Sequence, residues 1–92
     1  MTEVEFCPDH YLCTYDEPNC GGSSLGEFLS DSNSGESCHN IPGYARSVCN
    51  NWDDEVIMFP DEGCVGSERV IEPHSGCVNL DPPARSFKVR KL

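Results

Sequence analysis

Residues 38–48, CHNIPGYARSV, align without a gap on residues 77–87, CVNLDPPARSF. Five of the eleven positions are identical (Cys, Asn, Ala, Arg and Ser), Ile41 pairs with Leu80, and Val48 pairs with Phe87. A second pair of blocks lies upstream of these. YDEPNCGG at residues 15–22 and FPDEGCVG at residues 59–66 share the leading aromatic, the cysteine and the closing glycine. The offsets are 39 and 44 residues; the difference falls in the polar stretch SDSNSGE at residues 30–36, which reads as a longer loop in the first copy. Two matching blocks in the same order make the chain a tandem of two units, about 45 and about 40 residues long.

Local pattern sets what each unit folds into. Short runs rich in β-formers stand at residues 4–7, 11–15, 46–49, 56–59, 69–71 and 86–89, each bounded by turn residues. Residues 25–29 are the one helical hint, and sustained helical periodicity is absent. Strands this short do not stand alone, so the units must pack together and share a core. The candidate core is Phe6, Tyr15, Phe28, Ile41, Val48, Trp52, Val56, Phe59, Ile71, Leu80, Phe87 and Val89. The expected architecture is an all-β sandwich in one domain spanning residues 1–92.

The chain carries 16 acidic against 6 basic residues, a formal net charge of −10. All the acids lie at or before Asp81, and four of the cations (Arg85, Lys88, Arg90, Lys91) crowd the C-terminal end. Such a surface repels phosphate backbones and anionic lipid, so neither nucleic acid nor membrane is an expected partner. No apolar run approaches the ~20 residues that a bilayer-spanning helix needs. The segment after Met1 (Thr2, Glu3, Val4, Glu5) lacks an apolar signal region. Two settings remain: a cytosolic chain with reduced thiols, or a mature secreted chain, with the extracellular one favoured by its cysteines.

Tyr15, Cys20 and Gly22, repeated as Phe59, Cys64 and Gly66, form an aromatic–bulky–glycine hairpin signature, and each is followed downstream by a serine, Ser47 and Ser86. This pattern resembles the βγ-crystallin superfamily over essentially the whole chain. The resemblance implies a sandwich of two four-stranded Greek-key motifs, one over about residues 1–50 and one over about 51–92. It also implies structural roles for Tyr15, Gly22, Ser47, Phe59, Gly66 and Ser86. Gly22 and Gly66 suit a folded hairpin that needs positive φ, and the serines suit hydrogen bonds to exposed backbone amides.

Many members of that superfamily bind calcium through a hexapeptide of two acidic or amide residues, two variable ones, a hydroxyl residue and a serine. The matching positions here are Pro42-Gly43-Tyr44-Ala45-Arg46-Ser47 and Asp81-Pro82-Pro83-Ala84-Arg85-Ser86. Calcium takes six to eight oxygens, yet Gly43 and Pro82 offer no side-chain oxygen, and Arg46 and Arg85 place permanent cations where the ion would sit. Both sites read as disabled, with each arginine supplying the ion's charge. Asp81 is the remaining candidate for weak calcium binding; no other cofactor is expected.

Seven cysteines, at 7, 13, 20, 38, 49, 64 and 77, leave an odd thiol. Cys20 and Cys64 occupy matched positions, as do Cys38 and Cys77, which suggests Cys20–Cys38 and Cys64–Cys77 bridges, one inside each unit. Loops of that size would each contribute about 3 kcal/mol. A Cys7–His10–Cys13 zinc ligand set lacks a second pair at finger-like spacing. His10, His39 and His74 lie in turn-like stretches with no nucleophile context around any cysteine, so no catalytic residue and no enzyme are expected. The acidic run Asp53-Asp54-Glu55 reads as a solvated connector.

Two functions compete on these residues. The first is a compact, soluble structural or stress-type protein. The second is a small secreted, disulfide-stapled binding protein: a protease inhibitor, a killer-toxin-like protein or an effector. An inhibitor needs a rigid exposed loop, and residues 30–36 and 72–76 are the candidates. The partner is either a second copy of the chain or an extracellular protein, and a monomer is expected over a disulfide-linked dimer.

Overall fold

The computed structural model describes residues 7–29 and 38–90. The expected all-β class holds. Six strands, β1 Tyr11–Glu17, β2 Gly21–Leu29, β3 His39–Asn50, β4 Glu55–Phe59, β5 Arg69–Ile71 and β6 Gly76–Arg90, are joined in one antiparallel sheet of order β2-β1-β3-β6-β4-β5. Among the described residues one continuous sheet links all six strands, so a sandwich of two separate four-stranded Greek-key motifs is not confirmed. Among the same residues no helix is long and apolar enough to cross a membrane.

The two longest strands shape the sheet. β3 and β6 pair with register shifts on either side of Ala45. Those shifts coincide with Pro42, Gly43, Pro82 and Pro83, where prolines lack the N–H a ladder requires. The break lets the sheet turn on itself. In a flat sheet β2 would lie about 14 Å from β6, at roughly 4.8 Å per strand spacing; instead the rings of Phe28 and Phe87 meet with centroids 4.9 Å apart. Inside the fold lie Leu12, Ile41, Val48, Trp52, Val56, Met58, Ile71, Leu80, Phe87 and Val89, all buried. Trp52 adds a polar tie, its indole N–H donating to the Phe28 carbonyl at 3.1 Å.

Ten of the twelve candidate core residues are buried, Phe28 packs partly exposed against them, and Phe6 lies outside the described residues. The helical hint at residues 25–29 is corrected: they belong to β2, where pairing with β1 (Leu12 opposite Phe28, Cys13 opposite Glu27) overrides a weak local preference.

The bridges also differ from expectation. They join Cys7 to Cys13, Cys20 to Cys77 and Cys38 to Cys64, not Cys20 to Cys38 and Cys64 to Cys77. The strand paths explain this. β3 begins beside β6, with Asn40 opposite Ser86, and ends beside β1, with Ser47 opposite Tyr15. Cys38, ahead of β3, therefore meets the hairpin of the second copy, and Cys77, early in β6, meets that of the first. Each of these two bridges thus crosses between the sequence copies. The Cys7–Cys13 bridge removes both thiolates from any Cys7–His10–Cys13 metal set.

Candidate functional site

Two hairpins carry the same set of backbone anchors. In the first copy, the Cys20 amide donates to Ser47 Oγ at 2.8 Å, and that hydroxyl donates to the Glu17 carbonyl at 2.6 Å. In the second, the Cys64 amide donates to Ser86 Oγ at 2.8 Å, and the hydroxyl donates to the Asp61 carbonyl at 2.5 Å. Both serines are fully buried, so each satisfies a donor and an acceptor that the turn would otherwise leave open. One residue earlier, the Asn19 amide donates to Asn79 Oδ1 at 2.7 Å and the Gly63 amide donates to Asn40 Oδ1 at 2.9 Å. Gly22 and Gly66 have φ of +71° and +107°; a Cβ at Gly66 would come 2.7 Å from Pro60 Cγ. Tyr15 is buried among Cys7, Cys13 and Cys20, and Phe59 is buried at the end of β4.

What the hairpins present to solvent differs. Cys20 is followed by Gly21, whereas Cys64 is followed by Val65, one of the most exposed large apolar side chains described, at 58%. Val65 sits on a turn closed by its own carbonyl, which accepts from the Asp61 amide at 3.3 Å. The neighbouring Cys64 is tied to Cys38. An apolar side chain is thus held in water on a backbone fixed at residues 61, 63, 64 and 65. Around it stand the exposed carboxylates Asp61, Glu62 and Glu68. Cavities nearby measure about 160 Å³ (walled by Phe59, Pro60, Arg69, Leu80 and Pro82) and about 260 Å³ (by Val70, Ile71, Glu72 and Ser75). Both are smaller than the ~300 Å³ at which ligand clefts begin.

Of the two loops expected from the sequence, residues 30–36 lie outside the described residues. Residues 72–76 form a pinned turn. The buried Asn50 side chain donates to the carbonyls of Glu72 at 3.0 Å and Asp54 at 3.1 Å, and the Ser75 amide donates to the Asn50 carbonyl at 3.0 Å. His74 Nε2 lies 2.7 Å from Asp53 Oδ1, which places part of the acidic run in an exposed contact. The exposed side chains of this turn are polar, and it offers no apolar anchor. Val65 escapes a reading of the sequence because its neighbours carry the hairpin signature. The signal for it is one apolar residue between Cys64 and Gly66 in the otherwise polar run PDEGCVGSE at residues 60–68.

The arginines at the two hexapeptides part company. Arg85 Nη2 donates to Glu62 Oε2 at 2.8 Å and its guanidinium lies 4.5 Å from the Tyr44 ring centroid, while Arg46 is exposed. Gly43 packs under Leu25; Asp81 and Pro82 are exposed.

Cys49 is the free thiol. It stands on β3 opposite Cys13 of β1 and Cys77 of β6, and burial pushes its pKa up. Alkylation without reduction should therefore add a single label, and more slowly than in the urea-unfolded, unreduced chain. Because the folded pKa is the higher one, the stabilisation it represents is intact below the ordinary thiol pKa and fades as pH climbs through the folded value. Intact mass against time and pH checks both points; two or more labels would contradict the bridge set.

No curated protein and no solved structure gives a significant match to this chain. The model of peptidase inhibitor family I36 matches residues 2–71, most of the chain, and it corrects the βγ-crystallin resemblance. The hairpin glycines, aromatics and serines that carried that resemblance are turn-building residues, which an unrelated signature can share, and the structural or stress-type role it implied has no support. On a match of this extent, joined to an all-β scaffold with three bridges and a pinned exposed turn, the chain belongs to peptidase inhibitor family I36.

Proposed function

We propose that the protein is a non-enzymatic inhibitor of an extracellular endopeptidase, and that it acts by placing the Cys64–Val65 segment in the enzyme's cleft. The observation that carries this reading is the exposed Val65 side chain on a turn held by the Cys38–Cys64 bridge, Ser86 and Asn40. A turn already fixed loses little conformational freedom on binding, which is where a flexible peptide spends much of its interaction energy. The valine supplies an apolar anchor for a specificity pocket.

The same anchors explain why such a segment inhibits rather than being consumed. If the enzyme hydrolyses the Cys64–Val65 bond, the new carboxyl end stays tied through the bridge and Ser86. The new amino end stays beside it through the Asp61–Val65 hydrogen bond. Two ends held together at high effective concentration re-form the bond in preference to leaving. Three disulfides suit an oxidising, extracellular setting.

The test is a titration against secreted endopeptidases of the serine, cysteine, aspartic and metallo classes, followed by mass spectrometry of the complex. One-to-one inhibition of at least one class is expected, with any slow cleavage mapped to Cys64–Val65. No inhibition of any class, or cleavage mapped to residues 72–76, would overturn it.

A further inference from the structure

We propose that Arg85 is a positioning residue for the Cys64–Val65 turn, a role that rests on the functional reading above. The anchors described so far take hold at residues 61, 63, 64 and 65. Arg85 takes hold at the residue between them, Glu62: Nη2 donates to Glu62 Oε2 at 2.8 Å, and the guanidinium is stacked 4.5 Å from the Tyr44 ring centroid. Glu62 lies between the anchored Asp61 and Gly63, three residues before Val65, so this clamp restrains the segment that carries the valine.

The first hairpin serves as an internal control. By the sequence repeat, Arg46 corresponds to Arg85, Pro18 to Glu62 and Pro83 to Tyr44. That hairpin keeps the serine, asparagine and cystine anchors, yet its matching positions hold no carboxylate to pair and no aromatic ring to stack. Hairpin folding therefore does not require the clamp. Of the two hairpins, the one that projects an apolar residue into solvent is the one that has it.

The clamp also carries a cost. The Arg85 side chain is 24% exposed, and its Nε is buried without a hydrogen-bond partner among the described residues. A polar group desolvated in this way is unfavourable for stability alone. Tyr44, 57% exposed, contributes little by its own burial. Both residues make sense as a lid over the Glu62 contact, which also offsets negative charge beside Val65.

Hydrogen–deuterium exchange of the peptide covering residues 60–66 tests the proposal, read beside melting temperature and inhibition. Arg85→Gln should quicken exchange in that peptide about fivefold, the scale of one exposed ion pair plus one cation–π contact. It should raise the cleavage rate at Cys64–Val65 by a similar factor and leave exchange elsewhere unchanged. Arg85→Lys should restore part of the effect. Glu62→Gln, which removes the ion pair but leaves the Arg85–Tyr44 contact in place, should quicken exchange of the same peptide by a smaller factor, and the double substitution should not exceed Arg85→Gln. Unchanged loop exchange in Glu62→Gln, or a rise spread over the whole chain in both single variants, overturns the proposal. If loop exchange quickens as expected but the wild type blocks no peptidase, the clamp stands and the reading of Cys64–Val65 as the contact fails.

Discussion

Replacing Val65 by aspartate is expected to weaken inhibition at least about a hundredfold while leaving the melting temperature unchanged. Burying a valine side chain contributes roughly 1.5–3 kcal/mol. Placing an unpaired carboxylate in the same pocket adds a desolvation penalty of about 2 kcal/mol or more. Each 1.4 kcal/mol is about a factor of ten in affinity, so the two effects together exceed about two decades. The fold should be indifferent, because the side chain is 58% exposed and only the Val65 carbonyl is tied down. Val65→Ala should lose about tenfold, showing that lost contact and added charge are separable. Inhibition constants for the three proteins, with thermal melts on the same samples, decide the matter. Unaltered inhibition by Val65→Asp would move the contact elsewhere on the molecule.

The second large effect concerns stability. Removing Cys20 and Cys77 together, both to alanine, is expected to cost about 4 kcal/mol, against about 2 kcal/mol for the Cys7–Cys13 pair. In the chain-entropy account the loss grows with the length of the closed segment, and the separations are 57 and 6 residues. A domain this size holds only about 5–15 kcal/mol in total. The longer bridge is thus a large share, and a fall of about 20 °C in melting temperature is expected. Both cysteines must go, because either one alone would leave the fold with a second free thiol, and Cys77 lies opposite Cys49 of β3. Urea titrations of the two double variants give the comparison. Equal losses would show that native contacts, rather than loop closure, set the contribution of these bridges.

The all-β class and most of the core were legible in the chain itself. Val56, Phe59, Ile71, Phe87 and Val89 lie in short β-forming runs, and burial follows from their apolar surface once strands form. The sequence repeat was equally legible, and the paired roles of Ser47 and Ser86 are the same hydrogen bonds made twice. The same turn chemistry misled on family, because an aromatic, a glycine and a serine at hairpin spacing report how a turn is built, and not what it touches. The inhibitor family was visible only as the second of two readings, and the proposed Cys64–Val65 contact lies outside both of its loop candidates.

Residues 25–29 show where local reading stops: their propensity is weak, and cross-strand pairing with β1 decides it. Cysteine pairing shows the same limit. Matched positions in a repeat say which thiols are equivalent, but not whether a long strand stays with its own unit or runs on to the other. By itself the sequence determined strand-forming character, the core, the turn positions and the odd thiol, since each depends on a residue and its near neighbours. The tertiary structure alone decided the crossed bridges, the pinning of Asn50 and Arg85, and the exposure of Val65. Each of these depends on groups brought together from distant parts of the chain, by the bend at Pro42, Gly43, Pro82 and Pro83, the long paths of β3 and β6, and the packing of the sheet on itself.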